Sequence, residues 1–196
     1  GRKVLRANKV KPKQRGVNSL PFERSYCVET GRLLAGYYLG ALNRDEAESK
    51  IDSLLYSGIR CVINLVEEDE QGWDGKPLRP YQWLLSKMAV AKGIDVTYLR
   101  VPISDLSVPL KNTMKSILDT IDGALSSSMP VYVHCWGGRG HTDTVVGCYL
   151  ARSGRSSGSD VMRYIAKLRR NEPTAHKVSP EADVQRAIVC SWLFAE

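Results

Sequence analysis

Short apolar segments alternate along the chain with longer segments in which apolar residues recur every three or four positions. The short segments have the length and composition of buried strands, and the longer ones have the period of amphipathic helices. The predicted strands cover 25–28, 33–39, 61–66, 96–101 and 131–134. The predicted helices cover 43–58, 81–92, 110–125, a segment beginning near 142, 160–170 and 181–194. This alternation predicts a single α/β domain, with a mostly parallel central sheet flanked by helices and a hairpin of the first two strands at one edge.

Basic residues are concentrated at the start of the chain. Seven of the 28 Lys and Arg residues precede residue 20, where there is no Asp or Glu, so 21 basic and 21 acidic residues remain in the rest. We expect a basic, flexible arm over residues 1–20, which either is solvated or contacts an anionic partner, and a folded domain over residues 21–196. The neutral body does not favour nucleic-acid binding. No apolar run approaches the roughly 20 residues that span a bilayer.

The five cysteines of the chain are an odd number and lack the spacing of zinc ligands. This usage favours reduced thiols, and it disfavours a disulfide scaffold or a metal site. No apolar segment follows the basic residues at the start, so no secretory signal is visible. We therefore expect a cytoplasmic protein.

Residues 131–142 combine an apolar strand, a glycine-rich loop and the start of a helix, with the sequence Val-Tyr-Val-His-Cys-Trp-Gly-Gly-Arg-Gly-His-Thr. Cys135 stands where the strand ends. The first amides of a helix lack intrahelical partners, so such a loop gathers N–H donors around an anion and favours the thiolate form of a cysteine. The pattern indicates covalent chemistry on a phosphate, and the alternative is a buried, inert thiol.

This segment resembles the signature of the cysteine-dependent protein tyrosine and dual-specificity phosphatases, which is His-Cys, five residues, then Arg followed by Ser or Thr. Cys135 and Thr142 match it, whereas His141 occupies the arginine position and Asp143 the position of a common glycine. The resemblance covers roughly residues 22–195. It implies a phosphate-binding loop between a strand and a helix, and hydrolysis of a phosphomonoester through a phosphocysteine without a metal or other cofactor.

The resemblance also implies roles for individual residues. Cys135 would be the nucleophile, and Thr142 would donate a hydrogen bond to its sulfur, serve as a helix N-cap, or do both. Asp105 lies in the segment 102–109, which is similar to the family's general-acid loop; it would protonate the leaving oxygen, or else be a turn aspartate that caps the next helix. The residues expected to surround the phosphate are Trp136, Gly137, Gly138, Arg139, Gly140 and His141.

For two loop residues and one residue outside the loop, the sequence allows more than one role. Arg139 would bind a second anionic group of the substrate or be solvated, and Trp136 would line the cleft or pack against the body. Related enzymes hold a glutamine near the hydrolytic water, and Gln185 stands at a comparable place, but a surface glutamine is the expectation here.

The two departures from the signature predict weak activity. An arginine fork binds two phosphate oxygens, which an imidazole cannot reproduce, and the Asp143 carboxylate would add negative charge near the expected dianion. A protonated His141 would partly replace the arginine and give activity that rises on acidification. We expect an impaired hydrolase acting on a phosphorylated protein or a small anionic phosphomonoester. The alternative is a pseudophosphatase that binds a phosphorylated or anionic partner without turnover.

Overall fold

The structure, a computed structural model, describes residues 20–196. The predicted arm, apart from its last residue, lies outside the described residues. The strands are β1 (Ser25–Glu29), β2 (Leu33–Gly36), β3 (Cys61–Asn64), β4 (Thr97–Arg100) and β5 (Val131–His134). The helices are α1 (Arg44–Tyr56), α2 (Gln82–Ala91), α3 (Lys111–Ser126), α4 (His141–Arg152), α5 (Asp160–Leu168) and α6 (Asp183–Ser191). No helix of this part of the chain is long and apolar enough to cross a membrane.

One five-stranded sheet, in the order β1-β2-β5-β3-β4, forms the centre of the domain. Only β1 and β2 are antiparallel, and they form the predicted hairpin at one edge; the other neighbours are parallel. The predicted α/β fold with a mostly parallel sheet is therefore confirmed. Because β3, β4 and β5 run in the same direction, the loops after their carboxyl ends lie at one edge of the sheet, where such folds place their ligands.

Successive side chains of each strand point to opposite faces of the sheet, and each face has its own hydrophobic core. Val131 and Val133 of β5 pack on the face covered by α3, α4, α5 and α6, whereas Tyr132 between them packs on the face covered by α1 and α2. Each fully buried Val or Ile stabilises the fold by roughly 1.5–3 kcal/mol relative to exposure. Both faces of the sheet are thus buried, as the near-continuous apolar strands predicted.

Strand β2 ends three residues before its predicted boundary. After Gly36 the chain leaves the ladder: the Tyr37 amide donates to the Arg24 carbonyl at 3.2 Å, and the Tyr38 amide donates to the Trp136 carbonyl at 3.1 Å. The Lys50 ammonium, buried under this turn, donates to the Tyr38 carbonyl at 3.1 Å. The apolar residues at 37–39 therefore support the loop after β5 and do not extend the sheet.

Candidate active site

The Cys135 sulfur lies at the carboxyl end of β5, and the residue is only 5% exposed. The Gly138 amide donates to Sγ at 3.3 Å, and the Thr142 hydroxyl lies 3.1 Å from Sγ. Thr142 Oγ1 in turn accepts the Cys135 amide at 2.8 Å. Donors aimed at a sulfur stabilise negative charge on it, so the arrangement suits a nucleophilic cysteine.

Gly138 is the residue that lets the loop approach the sheet. Its φ is +74°, and a Cβ atom there would lie 2.8 Å from the Gly36 carbonyl oxygen and from the Tyr37 amide nitrogen. Neither backbone group can retreat, because both belong to the segment that supports the loop. From the other side, the Arg24 guanidinium donates to the Gly137 carbonyl at 2.9 Å. The path of the loop is therefore determined by contacts with the turn after β2.

His134 orients the peptide that follows β5. It is fully buried, and burial lowers its pKa to about 3, so the ring is neutral. Nδ1 lies 3.1 Å from the Cys135 carbonyl oxygen, which can only accept, so Nδ1–H is the donor and Nε2 accepts the Tyr81 hydroxyl. His134 thus serves as a structural neighbour of the nucleophile.

The segment that follows β4 brings Asp105 to the same edge of the sheet as Cys135. Asp105 is exposed, and one of its carboxylate oxygens accepts the Leu106 amide at 2.9 Å. The Ser104 hydroxyl donates to Glu67 Oε1 at 3.0 Å, which ties this segment to the loop after β3. Asp105 does not cap α3, since the N-cap of that helix is Leu110. The helix-cap alternative for Asp105 is therefore removed.

His141, the first residue of α4, is 5% exposed and hydrogen-bonded to the Ser104 backbone. Burial lowers the pKa of His141 below its ordinary value, although the carboxylates of Asp105, Glu67 and Glu181 act in the opposite direction. Its Nε2 has no hydrogen-bond partner among residues 20–196. We assign the one proton of the neutral ring to Nδ1, because the Ser104 backbone accepts from the ring and Nε2 has no partner; with this assignment Nε2 is a lone-pair acceptor. At neutral pH, His141 thus offers an acceptor where the family's signature places two donors.

Asp143 is fully buried and its carboxylate takes part in a network behind the loop. It accepts hydrogen bonds from the hydroxyls of Tyr26 and Ser179, and it pairs with the Arg169 guanidinium at 3.2 Å. Arg169 also pairs with Glu172 at 3.0 Å. Burial raises the pKa of Asp143 to about 6, opposed by Arg169 and by the two hydroxyls. Arg169 thus offsets the charge of this carboxylate, and the effect of Asp143 on an anion in the loop stays a prediction.

The Arg139 side chain is held by the segment that precedes α6. Its guanidinium donates to the Val178 carbonyl at 2.8 Å and pairs with Glu181, and its own carbonyl oxygen lies 3.0 Å from the Ser179 hydroxyl oxygen. The side chain is 20% exposed. It is therefore not the solvated arginine of one expectation, and binding a second anionic group would require it to leave Glu181.

Gln185 is 1% exposed, so the expectation of a surface glutamine was wrong. Its Nε2 donates to the Ser107 carbonyl at 3.2 Å, and its Oε1 accepts the Ala182 amide at 3.0 Å. The amide also packs against Gly140. Gln185 thus links α6 both to the loop after β5, residues 135–140, which we call the phosphate-type loop, and to residues 102–109, which we call the Asp105 segment. Its spacing of four residues before the buried Val189 was the sequence signal for this orientation.

Trp136 and Trp73 form an aromatic edge beside the loop. Their ring centroids are 5.0 Å apart with an interplanar angle of 62°. Trp136 is half-buried against the core that contains α1 and α2, whereas Trp73 is 89% exposed. The two sequence alternatives for Trp136, cleft lining and packing, are therefore compatible with each other.

Residues 40–155, more than half of the chain, match the family described as "Polymorphic toxin system, DSP-PTPase phosphatase". The chain belongs to this phosphatase family. A search of curated proteins found no match.

The fold of this phosphatase domain also matches solved structures. Tk-PTP in its active form has a TM-score of 0.59 and 22% identity, over 85% of this chain and 93% of that chain. PTPMT1 in complex with PI(5)P has a TM-score of 0.58 and 19% identity, over 85% and 94%. The human tyrosine phosphatase-like serine/threonine/tyrosine-interacting protein has a TM-score of 0.60 and 18% identity, over 86% and 94%. At these identities the likeness shows the fold alone.

Within this phosphatase domain, the structure brings Cys135, Thr142, His141 and the loop glycines together, with Asp105 on the adjacent segment. It turns Asp143 and Arg139 toward other partners. The roles of these residues in catalysis remain predictions. Sequence reasoning missed the residues that support the loop from distant segments, namely Arg24, Lys50, Arg169 and Ser179.

Proposed function

We propose that the domain hydrolyses phosphomonoesters through a phosphocysteine intermediate at Cys135. The observation that carries this proposal is the position of the Cys135 sulfur at a strand-to-helix turn, with the Gly138 amide and the Thr142 hydroxyl directed at it. The start of α4 adds further unpaired amides at the place where an anion would bind.

The reaction would proceed in two displacements. The Cys135 thiolate attacks phosphorus, the bond to the ester oxygen breaks, and protonated Asp105 gives its proton to that leaving oxygen. Water then attacks the phosphocysteine, the Asp105 carboxylate takes the proton of the water, and the sulfur–phosphorus bond breaks to release phosphate and restore the thiolate. Thr142 would assist the second step by hydrogen-bonding the departing sulfur. The chemistry requires no metal or cofactor.

His141 accounts for the reduced turnover that we propose. Loss of one transition-state donor lowers a rate by roughly a hundred- to a thousandfold, and loss of a phosphate-clamping arginine by up to about a hundred-thousandfold. Here the group that stands in place of the arginine, the neutral His141 ring, also lies in the field of the Asp105, Glu67 and Glu181 carboxylates. A phosphate dianion at this corner of the loop therefore lacks the two donors of the arginine and is repelled by the nearby carboxylates.

The substrate class that we propose is a phosphorylated protein or a small anionic phosphomonoester. The aromatic edge of Trp136 and Trp73 suits a substrate with a flat or apolar group next to its phosphate. The solved relative PTPMT1 is described with PI(5)P, which is an example of a small phosphomonoester on this fold. The free cysteines of the described residues support a reducing compartment such as the cytoplasm.

The test is a comparison of the chain with its His141→Arg variant on a generic aryl phosphate. We expect kcat/KM to rise by about a hundred- to a hundred-thousandfold, because the fork that clamps phosphate is restored. Asp143 is left unchanged in this variant, because its carboxylate pairs with Arg169. Cys135→Ser in the His141→Arg background should abolish the gain. His176→Arg, which adds the same charge at an exposed position, is the matched control and should give no gain.

The alternative function is a binding module that recognises a phosphorylated or anionic partner without turnover. The observation that favours it is the neutral, acceptor-only His141 in place of the arginine. If the His141→Arg variant binds vanadate but remains inert on aryl phosphates, the hydrolase proposal fails and the binding function stands.

A further inference from the structure

The loop contains one buried polar atom that the domain itself does not satisfy. His141 is 5% exposed, and its Nε2 has no hydrogen-bond partner among residues 20–196. Buried polar atoms are almost always hydrogen-bonded, and an unpartnered one carries a free-energy penalty. With the ring proton assigned to Nδ1, the group that satisfies Nε2 is a donor.

Three carboxylates act on the same ring from three different segments. Glu67 follows β3 and is tied to Ser104, Asp105 follows β4, and Glu181 precedes α6. The Glu181 carboxylate lies against Gly140, where a Cβ atom would be 3.4 Å from its Oε2. Within residues 20–196 there is no salt bridge at Glu67 or Asp105, whereas Glu181 pairs with Arg139. The corner at His141 is thus complementary to a cation that carries N–H donors.

We propose that this corner binds a guanidinium group of the substrate itself, the side chain of an arginine close to the phosphorylated residue. The guanidinium would donate from one edge to His141 Nε2 and the carboxylates, and from another edge to the phosphate. In this way the substrate would supply the fork that the chain lacks at position 141. The proposal rests on the proposed phosphatase function.

The geometry of the guanidinium explains why we name this cation. It is planar, remains charged, and presents five N–H donors in a fixed fork, so it can bridge a carboxylate and a phosphate at once. An alkylammonium is a compact point charge and bridges such groups less specifically. We therefore expect a substrate arginine to bind at this corner more tightly than a substrate lysine.

Three arginines that contact the loop or the first turn of α4 are already engaged. Arg139 is held by Glu181 and the Val178 carbonyl, Arg24 donates to the Gly137 carbonyl, and Arg169 is paired with Asp143. Each of them supports the loop from outside. None of these three guanidinium groups contacts His141 Nε2, so this atom is open to the guanidinium of a bound molecule.

The first experiment uses free guanidinium as the probe, at up to about 50 mM, far below the molar concentrations that unfold proteins. We expect a saturable increase in kcat/KM for an aryl phosphate of about tenfold or more, from new charge-assisted hydrogen bonds. Sodium and tetramethylammonium chloride at equal ionic strength should give no increase. The gain should vanish in His141→Arg, where the fork is already present.

Matched carboxylate variants locate the effect. Glu67→Gln should reduce the guanidinium gain severalfold, since it removes one of the charges that hold the cation. Asp52→Asn removes a carboxylate charge at the other end of the sheet, where Asp52 pairs with Lys92 at 2.6 Å, and should leave the gain unchanged. Equal losses in both variants would mean that guanidinium acts through general charge, and the proposal would be overturned.

A binding measurement separates this proposal from the proposed function. The affinity for vanadate, measured by calorimetry, should increase about tenfold with guanidinium present. If guanidinium changes neither vanadate affinity nor rate, the proposal is overturned whether or not vanadate binds alone. Turnover by His141→Arg then decides the phosphatase function independently.

The last experiment tests the source of the guanidinium. Two phosphopeptides are compared that differ only in arginine or citrulline two residues from the phosphorylated residue, using Cys135→Ser to prevent turnover. We expect the arginine peptide to bind about tenfold more tightly, with most of the difference lost in Glu67→Gln. Equal affinities would overturn the assignment to a substrate arginine, even if free guanidinium activates the enzyme.

Discussion

Asp143 is a fully buried carboxylate in the first turn of the helix that begins at the phosphate-type loop. Removing one partner of a buried ion pair typically destabilises a protein by about 3–5 kcal/mol, because the other charge is left unpaired. Arg169 would be that charge if Asp143 were replaced by glycine. The reversion that brings the sequence closer to the signature is therefore expected to destabilise the domain. The single change at His141 is the cleaner way to restore activity.

The titration of Asp143 gives a prediction for stability. Its folded-state pKa is about 6, against an ordinary value near 3.8, so the folded protein binds the extra proton between these pH values. The stabilisation is present below about pH 4 and is lost as the pH rises through 6. The unfolding free energy of the chain minus that of Asp143→Asn should fall by about 2 kcal/mol between pH 4 and pH 6.

Urea unfolding of both proteins at several pH values measures this difference. His134, with its lowered pKa, changes stability in the opposite direction over an overlapping range, but it is present in both proteins and cancels. A difference that stays flat, or that rises with pH, would show that Arg169 outweighs burial at Asp143.

At the scale of secondary-structure elements, α6 and the segment before it hold the loops of the site together. Gln185 reaches the Ser107 carbonyl of the Asp105 segment, and Glu181 pairs with Arg139 of the phosphate-type loop. The position of the general-acid candidate thus depends on a helix that lies about eighty residues later in the chain.

Gln185→Ala tests this link. It leaves the partly buried Ser107 carbonyl and Ala182 amide without their partner, and an unsatisfied buried group costs about 1–3 kcal/mol. We expect a loss of about 1–2 kcal/mol in urea unfolding and faster hydrogen exchange of the amides in 104–109. Gln82→Ala, at an exposed position of α2, is the control. Unchanged exchange in 104–109 would show that α6 does not hold the Asp105 segment.

The elements themselves were largely predictable because their signals are local. Apolar period and turn residues predicted every strand and helix of residues 20–196, with boundaries that differ mostly by one to three positions. Strand β2 is the instructive exception, because Tyr37 and Tyr38 are apolar enough for a strand but donate their amides to Arg24 and Trp136. Those partners come from distant parts of the chain, so no local pattern contained them.

At the scale of the whole molecule, charge separates the arm from the domain. The net charge of +7 equals the seven basic residues that precede residue 20, and the remainder is balanced. We expect binding to anionic surfaces, if it occurs, to depend on this arm and to weaken with salt.

Deletion of residues 1–19 measures that contribution. The shortened chain should elute from a heparin column at a much lower salt concentration, while its Tm and its kcat/KM for an aryl phosphate stay within error of those of the full chain. Retention that is unaffected by the deletion would place the anion-binding surface on the domain.

The sequence by itself determined the α/β architecture, the strand-to-helix turn that carries Cys135 and the segment that carries Asp105, because these features depend on local periodicity and on a contiguous motif. Only the tertiary structure decided that Asp143 pairs with Arg169, that Arg139 is engaged by Glu181, that Gln185 is buried, and that His141 Nε2 is buried without a partner among residues 20–196. Each of these depends on which groups from distant segments come within hydrogen-bonding distance and on how completely water is excluded there.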